Sequence, residues 1–465
     1  MNVATDKVVK VDATTVRFEF AEPRPNFLIA SRGAWSYGFY GYPAHYFKQY
    51  HPDYNGTAAD KAQEVFQKLL DRLYQNSWVS KDVNAPTVNA WKVVDFKEGQ
   101  YALFDRNPYF YGVDPENNQL PYIDQIEGMD KYDKDAETMK LKMLAGEADM
   151  LFRVVRPVDY PVFKEKEKQL GIQLVLLNDS FNGRQIFFFN QNSPTKNVVD
   201  LLRNADFRRA WSLALNRNLM NESIFLGLGK LGHGFSDAGV FDPKIDGAYA
   251  TLDVAKANAL LDALKLDKRD SEKFRLLPDG SPLTINLMFQ SNWGIGADQV
   301  VQIAVDNLRE IGLRVSAKPA ERKVYQDTVN SDDWQVRLGP STGGWFGYWG
   351  IGMIVSQFAR QEWLWMTSAK EAKRQGVEPQ GKLKEASDLY WNIQQSTDKA
   401  QQDKLRAQYR ELMADQLWEV GSVAVVPGIL IINASLKNVP GQVQRATIQQ
   451  GESEYLRFEQ WYLDK

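Results

Sequence analysis

Apolar residues along this chain recur with a two-residue period in some stretches and a helical period of about 3.6 in others. Val8 to Phe20 alternates apolar and polar positions and predicts a strand pair. Asn89 to Phe96 and Gln100 to Asp105 predict a hairpin turning at Glu98-Gly99. Between them, Ala34 to Tyr54 is dense in aromatics and glycine and reads as an irregular packed loop. Ala58 to Asn76 has Ala62, Val65, Phe66, Leu69, Leu70 and Leu73 at helical spacing. The stretch from Tyr101 continues through a turn at Asn107-Pro108 and a second at Pro121-Tyr122 into a strand. An amphipathic helix closed by Gly146 follows, then a strand at Met150 to Arg153.

Phe187 to Asn190 predicts a strand with Phe187 and Phe189 on one face and Phe188 and Asn190 on the other. Ser193 to Asn204 reads as a polar connection, a candidate hinge. The following helix takes Asp206 as its N-cap. Asp253 to Leu264 predicts a helix with Ala257, Leu260, Leu261 and Leu264 on one face. Leu283 to Phe289, Asp298 to Ile311 and Leu313 to Ala317 give strand, helix and strand, hence a parallel pair with a right-handed crossover. Leu383 to Gln394 and Asp398 to Gln416 predict two helices, and Ser368 to Gln380 a surface loop. Val423 to Ile432 is apolar enough for a buried strand, with a bulge or break expected at Pro427.

The ordered pieces resemble a known family. Asn107-Pro108-Tyr109-Phe110-Tyr111, Leu120-Pro121-Tyr122-Ile123-Asp124 and Ala145-Gly146-Glu147-Ala148-Asp149 are similar to the family 5 extracellular solute-binding proteins. Those are the oligopeptide-, dipeptide-, nickel- and oligosaccharide-binding components of ABC importers. Phe187 to Asn190 followed by Asp206 to Arg217, Ser281 to Val315, and Glu454 to Asp464 continue the resemblance over nearly the whole chain. It implies an α/β, two-lobed periplasmic binding protein type II fold, large and cluster C-like. Lobe I would hold residues 1–192, with the remnant of a small inserted subdomain over about 1–85. Lobe II would hold 193–422, and 423–465 would return to lobe I. The Val8 to Phe20 hairpin resembles one well inside family members, so the resemblance also implies a lobe I incomplete at its N-terminus. It further implies a monomer that delivers its solute to membrane permease subunits by hinge closure, in the periplasm or as a cell-surface lipoprotein whose signal sequence is lost.

Composition narrows the classes. With 465 residues, more than one core is expected. A net charge of −3 with no basic face gives no support for nucleic-acid binding. The chain has no cysteine, which removes disulfides, Cys-ligated zinc and thiol nucleophiles. The three histidines, His45, His51 and His233, are scattered, and Asp130, Asp133 and Asp135 lack the glycine and final Glu of a calcium loop. No cofactor and no metal are expected.

The strongest binding candidate is Gly343 to Gly350, where Trp345, Phe346, Tyr348 and Trp349 stand among glycines. Glycine weakens strands and lets backbone approach something closely, and flat rings stack on sugars. In the family, the matching loop of lobe II lies in the interlobe cleft and carries an Asp in peptide-binding members. Here no Asp or Glu occurs from Gly339 to Gln361. The expected solute is therefore an uncharged saccharide, with peptides second. Phe188, Asn190, Trp293 and Trp334 complete the candidate set. The rival class, a glycoside hydrolase with an aromatic cleft, needs two positioned carboxylates, and the aromatic segment offers none. A fragment without function is the third reading.

Overall fold

The structure, a computed structural model, describes residues 7–464 apart from 22, 26, 28–42, 55, 57–60, 62–63, 65–81, 98, 130–135, 153, 180–184, 237–240, 291–295, 341–354, 369–373, 441–443 and 446–455. Apart from residues 61 and 64, the helix expected over Ala58 to Asn76 lies outside the described residues, as do residues 34–42 of the Ala34 to Tyr54 stretch, whose described part forms short helical turns at Ala44–Phe47 and Lys48–Tyr50. The chain divides into two compact units. The larger holds 1–30 and 178–427, the smaller 31–177 and 428–465.

In the smaller unit, the alternating stretches pair as read. Trp91–Lys97 lies antiparallel to Tyr101–Arg106, which pairs in turn with Gln125–Met129. A second sheet runs in the order Gln444–Arg445, Ile172–Asp179, Gly428–Asn433, Met150–Leu151. Helices Ala136–Leu144 and Tyr160–Leu170 place Met139, Met143 and Phe163 against Leu151, Ile429 and Ile431.

The larger unit is built on a five-stranded sheet in the order Arg314–Pro319, Thr284–Phe289, Val336–Pro340, Gln185–Phe189, Glu419–Gly421. The first three are parallel and Gln185–Phe189 runs antiparallel to both its neighbours. The predicted strand–helix–strand unit is present, its helix at Ala297–Glu310. One sheet face meets the main core, where Phe187 and Phe189 pack on Trp211 of helix Ala205–Ala214 with ring centroids 5.8 and 5.4 Å apart. The hairpin Lys7–Lys10 with Val16–Glu19 groups with this unit.

The crossings fall elsewhere than expected. The first comes at 177/178 and not at 192/193, because Gln185–Phe189 already belongs to the larger sheet. The return comes at 428 and not at 423. Pro427 splits the apolar run, so that Val423–Val425 pairs with Lys230–Leu231 and Gly428–Asn433 enters the smaller unit's sheet. Residues 1–30 join the larger unit, not lobe I. The supposed polar connection contains a helix, Lys196–Arg203, whose Val198 and Leu202 are buried one turn apart. The N-cap of the next helix is Asn204, whose side chain accepts from the Asp206 N–H, while Asp206 pairs with Arg209 at 2.8 Å.

His233 is wholly buried in the larger unit and holds the edge of its sheet. Its Nδ1 accepts from the Gly421 N–H at 3.2 Å, so Nε2 carries the proton and donates to the Ala248 carbonyl. Gly421 has no room for a side chain, since a Cβ there would stand 2.6 Å from the His233 carbonyl oxygen. Burial, helped by the Arg217 charge, pushes the imidazole down from 6.5 to about 3, against the opposing Ala248 bond. A depressed pKa means that the unfolded chain takes up the proton first as pH falls. The stability His233 contributes is present above about pH 6.5 and is lost progressively below it, by roughly 2 kcal/mol at about pH 5. Denaturant unfolding at about pH 7 and pH 5 should show a smaller loss for His233→Gln than for the wild type. Equal losses would remove His233 as the cause.

Candidate functional site

The aromatic segment Trp345, Phe346, Tyr348 and Trp349 lies outside the described residues, as does Trp293. What the structure describes is the frame on either side. The chain enters from strand Val336–Pro340, at the centre of the larger unit's sheet, and leaves through Val355 to Ala359 into helix Arg360–Thr367. Val355, Phe358 and Ala359 are buried in the main core, and Phe358 stacks on Trp418 with centroids 5.3 Å apart and planes 12° apart. The Phe358 carbonyl accepts from the Gln191 N–H at 2.7 Å.

The other three sequence candidates come together on the second face of the sheet, and all are buried. Asn190 spends its side chain on its own unit. Its Nδ2 donates to the carbonyls of Asp332 and Trp334, both at 2.9 Å, and its Oδ1 accepts from the Asn192 N–H at 2.8 Å. Two amide donors and one acceptor position are thus engaged, at zero exposure. Phe188, also at zero exposure, forms a small apolar cluster with Ile186 and Trp334. In this structure all three positions are parts of the frame. Asn190 ends its strand as the reading had it, but packing turns its amide towards the neighbouring loop.

A residue that the sequence reading passed over lies among them. Arg337 is 2% exposed, with its guanidinium carbon 4.2 Å from the Phe188 ring centroid, 5.1 Å from Trp334 and 5.9 Å from Tyr325. Alternation along Trp334-Gln335-Val336-Arg337-Leu338 was the signal that would have found it: Val336 and Leu338 face the main core, so Arg337 must face the other way.

Further polar bonds brace the frame. The Asn192 amide donates to Glu362 at 2.9 Å and accepts from the Gln361 N–H at 3.0 Å. The Gln361 side chain donates to the Asp332 carboxylate at 2.6 Å. Burial pushes the Asp332 carboxyl up, and the Gln361 bond and the Arg360 charge offset this only in part. Among the described residues no cluster of His, Asp and Glu is arranged to hold a metal ion.

Comparison with known proteins gives this frame its context. Residues 2–353 match the family described as bacterial extracellular solute-binding proteins, family 5 middle. The chain belongs to the family 5 solute-binding proteins. Over 455 residues it is 25% identical to a periplasmic alpha-galactoside-binding protein of Rhizobium meliloti (strain 1021), covering 93% of this chain and 61% of the relative. It therefore spans less than two thirds of that relative's length. Among solved structures, it is similar to an oligopeptide-binding protein OppA, with 25% identity, a TM-score of 0.70 and coverage of 99% of this chain and 75% of that one. It is also similar to the periplasmic binding protein MelB of Agrobacterium fabrum C58 in complex with stachyose, at 19% identity and a TM-score of 0.67. That likeness covers 98% of this chain and 67% of that one. The fold is that of the two-lobed periplasmic binding proteins of family 5, and these relatives are binding proteins, not enzymes.

Proposed function

We propose that this protein is the solute-capturing component of an ABC importer. It takes up an uncharged oligosaccharide, acts as a monomer outside the cytoplasmic membrane, and passes the solute to permease subunits without turnover. The observation that carries the reading is Trp345, Phe346, Tyr348 and Trp349 set among glycines, with no acidic residue from Gly339 to Gln361. Rings supply stacking faces for sugars, and a stretch without a carboxylate has nothing to pair with a peptide's α-amine. The alpha-galactoside-binding relative supports the same class of solute. Periplasmic relatives support the location, and among the described residues no helix is long and apolar enough to cross a membrane.

The likeness to an oligopeptide-binding protein favours peptides as the second reading. Titration calorimetry against stachyose, other α-galactosides and a panel of short peptides separates the two. Saccharide binding with no heat from peptides is the expected result. Tight peptide binding with no saccharide response would overturn the choice of solute and leave the family assignment standing.

A further inference from the structure

The smaller unit holds two tyrosines out in water on a backbone that is tied down around them. Tyr109 is 90% exposed and Tyr111 81%, more than any other large hydrophobic side chain among the described residues. Asn107, itself buried, fixes the approach to them. Its Nδ2 donates to the carbonyls of Asn89, at 2.8 Å, and Thr87, at 3.2 Å, and its Oδ1 accepts from the Tyr109 N–H at 3.0 Å. The Gln119 Nε2 donates to the carbonyls on either side of Tyr109, those of Pro108 at 2.7 Å and Phe110 at 2.9 Å. The Leu120 N–H closes the loop on the Gly112 carbonyl at 3.0 Å. The Phe110 ring folds back over Gly112, where a Cβ would stand 2.5 Å from it, and leans on Tyr111 with centroids 4.8 Å apart.

Neither tyrosine belongs to a core of its own unit. A loop held this tightly loses little conformational freedom when its rings are covered, and rigid tyrosines are the anchors that protein interfaces favour. The charge around the rings selects the kind of partner. From Asn107 to Gln125 there are three acidic residues, Asp114, Glu116 and Asp124, and no Lys or Arg. The Asp124 side chain is 90% exposed; Arg106, which pairs with it at 4.0 Å, gives its Nη2 to the Gln119 carbonyl at 2.8 Å. An anionic membrane surface calls for clustered Lys and Arg, which the loop lacks. A second copy docked through the same patch about a two-fold axis would set these acids against their own counterparts. A protein surface presenting arginine or lysine fits, because its cations stack on tyrosine faces and complement the carboxylates.

We propose that the loop from Tyr109 to Tyr111 docks this protein on an arginine- or lysine-bearing surface of its permease. The inference rests on the reading of the chain as an importer component, and on nothing about which solute is carried.

The test measures binding of the full chain to the permease subunits reconstituted in nanodiscs of zwitterionic lipid. Two double variants are compared with the wild type: Tyr109→Ser with Tyr111→Ser, and Glu116→Lys with Asp124→Lys. The serine variant should keep its thermal midpoint within about 2 °C of wild type, because neither ring packs in a core. It should lose about ten-fold or more in affinity for the nanodiscs. The lysine variant should lose a similar factor, and wild-type affinity should fall as sodium chloride rises from about 50 to about 300 mM. Wild-type affinity in the serine variant would overturn the docking surface and leave the importer reading standing. A serine variant that melts well below wild type would overturn it too, by making the rings part of the fold's stability. Affinity unmoved by salt and by the lysine changes would overturn the basic partner. Wild-type binding to permease-free vesicles of anionic phospholipid, or a dimer in sedimentation, would overturn the choice of partner if the serine variant abolished it. A wild type that binds no permease would bring down the importer reading and the docking surface together.

Discussion

Trp211→Ala is expected to cost the larger unit about 3–5 kcal/mol. Trp211 has no exposed surface and sits where helix Ala205–Ala214 meets the sheet, edge-on to Phe189 with planes 89° apart and tilted against Phe187. Removing the indole leaves a void lined by rings that cannot close on it, and large-to-small changes of this kind lose both transfer energy and packing. The indole N–H is buried without a hydrogen-bond partner among the described residues, so no polar interaction disappears with it. That makes a sharp contrast available. Trp211→Phe keeps most of the volume, removes the unsatisfied N–H, and should cost only about 1 kcal/mol. Chemical denaturation monitored on the larger unit's transition checks both. If the alanine variant falls within about 1 kcal/mol of wild type, this ring is not central to the core.

Much of this was legible in the sequence, for physical reasons that can be named. Phe187 and Phe189 had to share a face because strand side chains alternate, and they do. The helix read from Asp253 to Leu264 is present as Val254–Ala263, and the structure adds that Asp253 caps it by accepting from the Lys256 N–H at 2.9 Å. Pro427 broke the last apolar run because it cannot donate to a ladder. The misses are equally specific. Polar residues around Pro194 hid the helix Lys196–Arg203, where only Val198 and Leu202 signal burial. Residue type made Asn190 and Trp334 candidate solute contacts, but where the amide and the ring pack is tertiary information that residue type does not carry. For Arg337, alternation gave the face but not its burial. An arginine alternating with valine and leucine looks like the wet side of a strand, and only the packing of Tyr325 and Trp334 over it makes that side dry.

Alanine at both Trp345 and Trp349 is expected to weaken saccharide binding by about 100-fold, and either change alone by about ten-fold. An aromatic stack contributes about 1 kcal/mol beyond the area it buries. Tens of Å² of ring face removed from water add about as much again. A factor of ten in affinity needs about 1.4 kcal/mol, so one ring reaches it and two exceed it together. The binding should also be insensitive to salt, since residues 339–361 carry no acidic side chain and an uncharged solute has nothing for salt to screen. A peptide held by its termini would instead lose affinity as salt rises. Calorimetry of the single and double variants at low and high ionic strength, with thermal midpoints recorded alongside, tests both parts. Unchanged midpoints with the stated losses in affinity assign the rings to the solute. A double variant that melts early but binds like wild type would make the segment a piece of packing, and the choice of an uncharged saccharide would lose its main support.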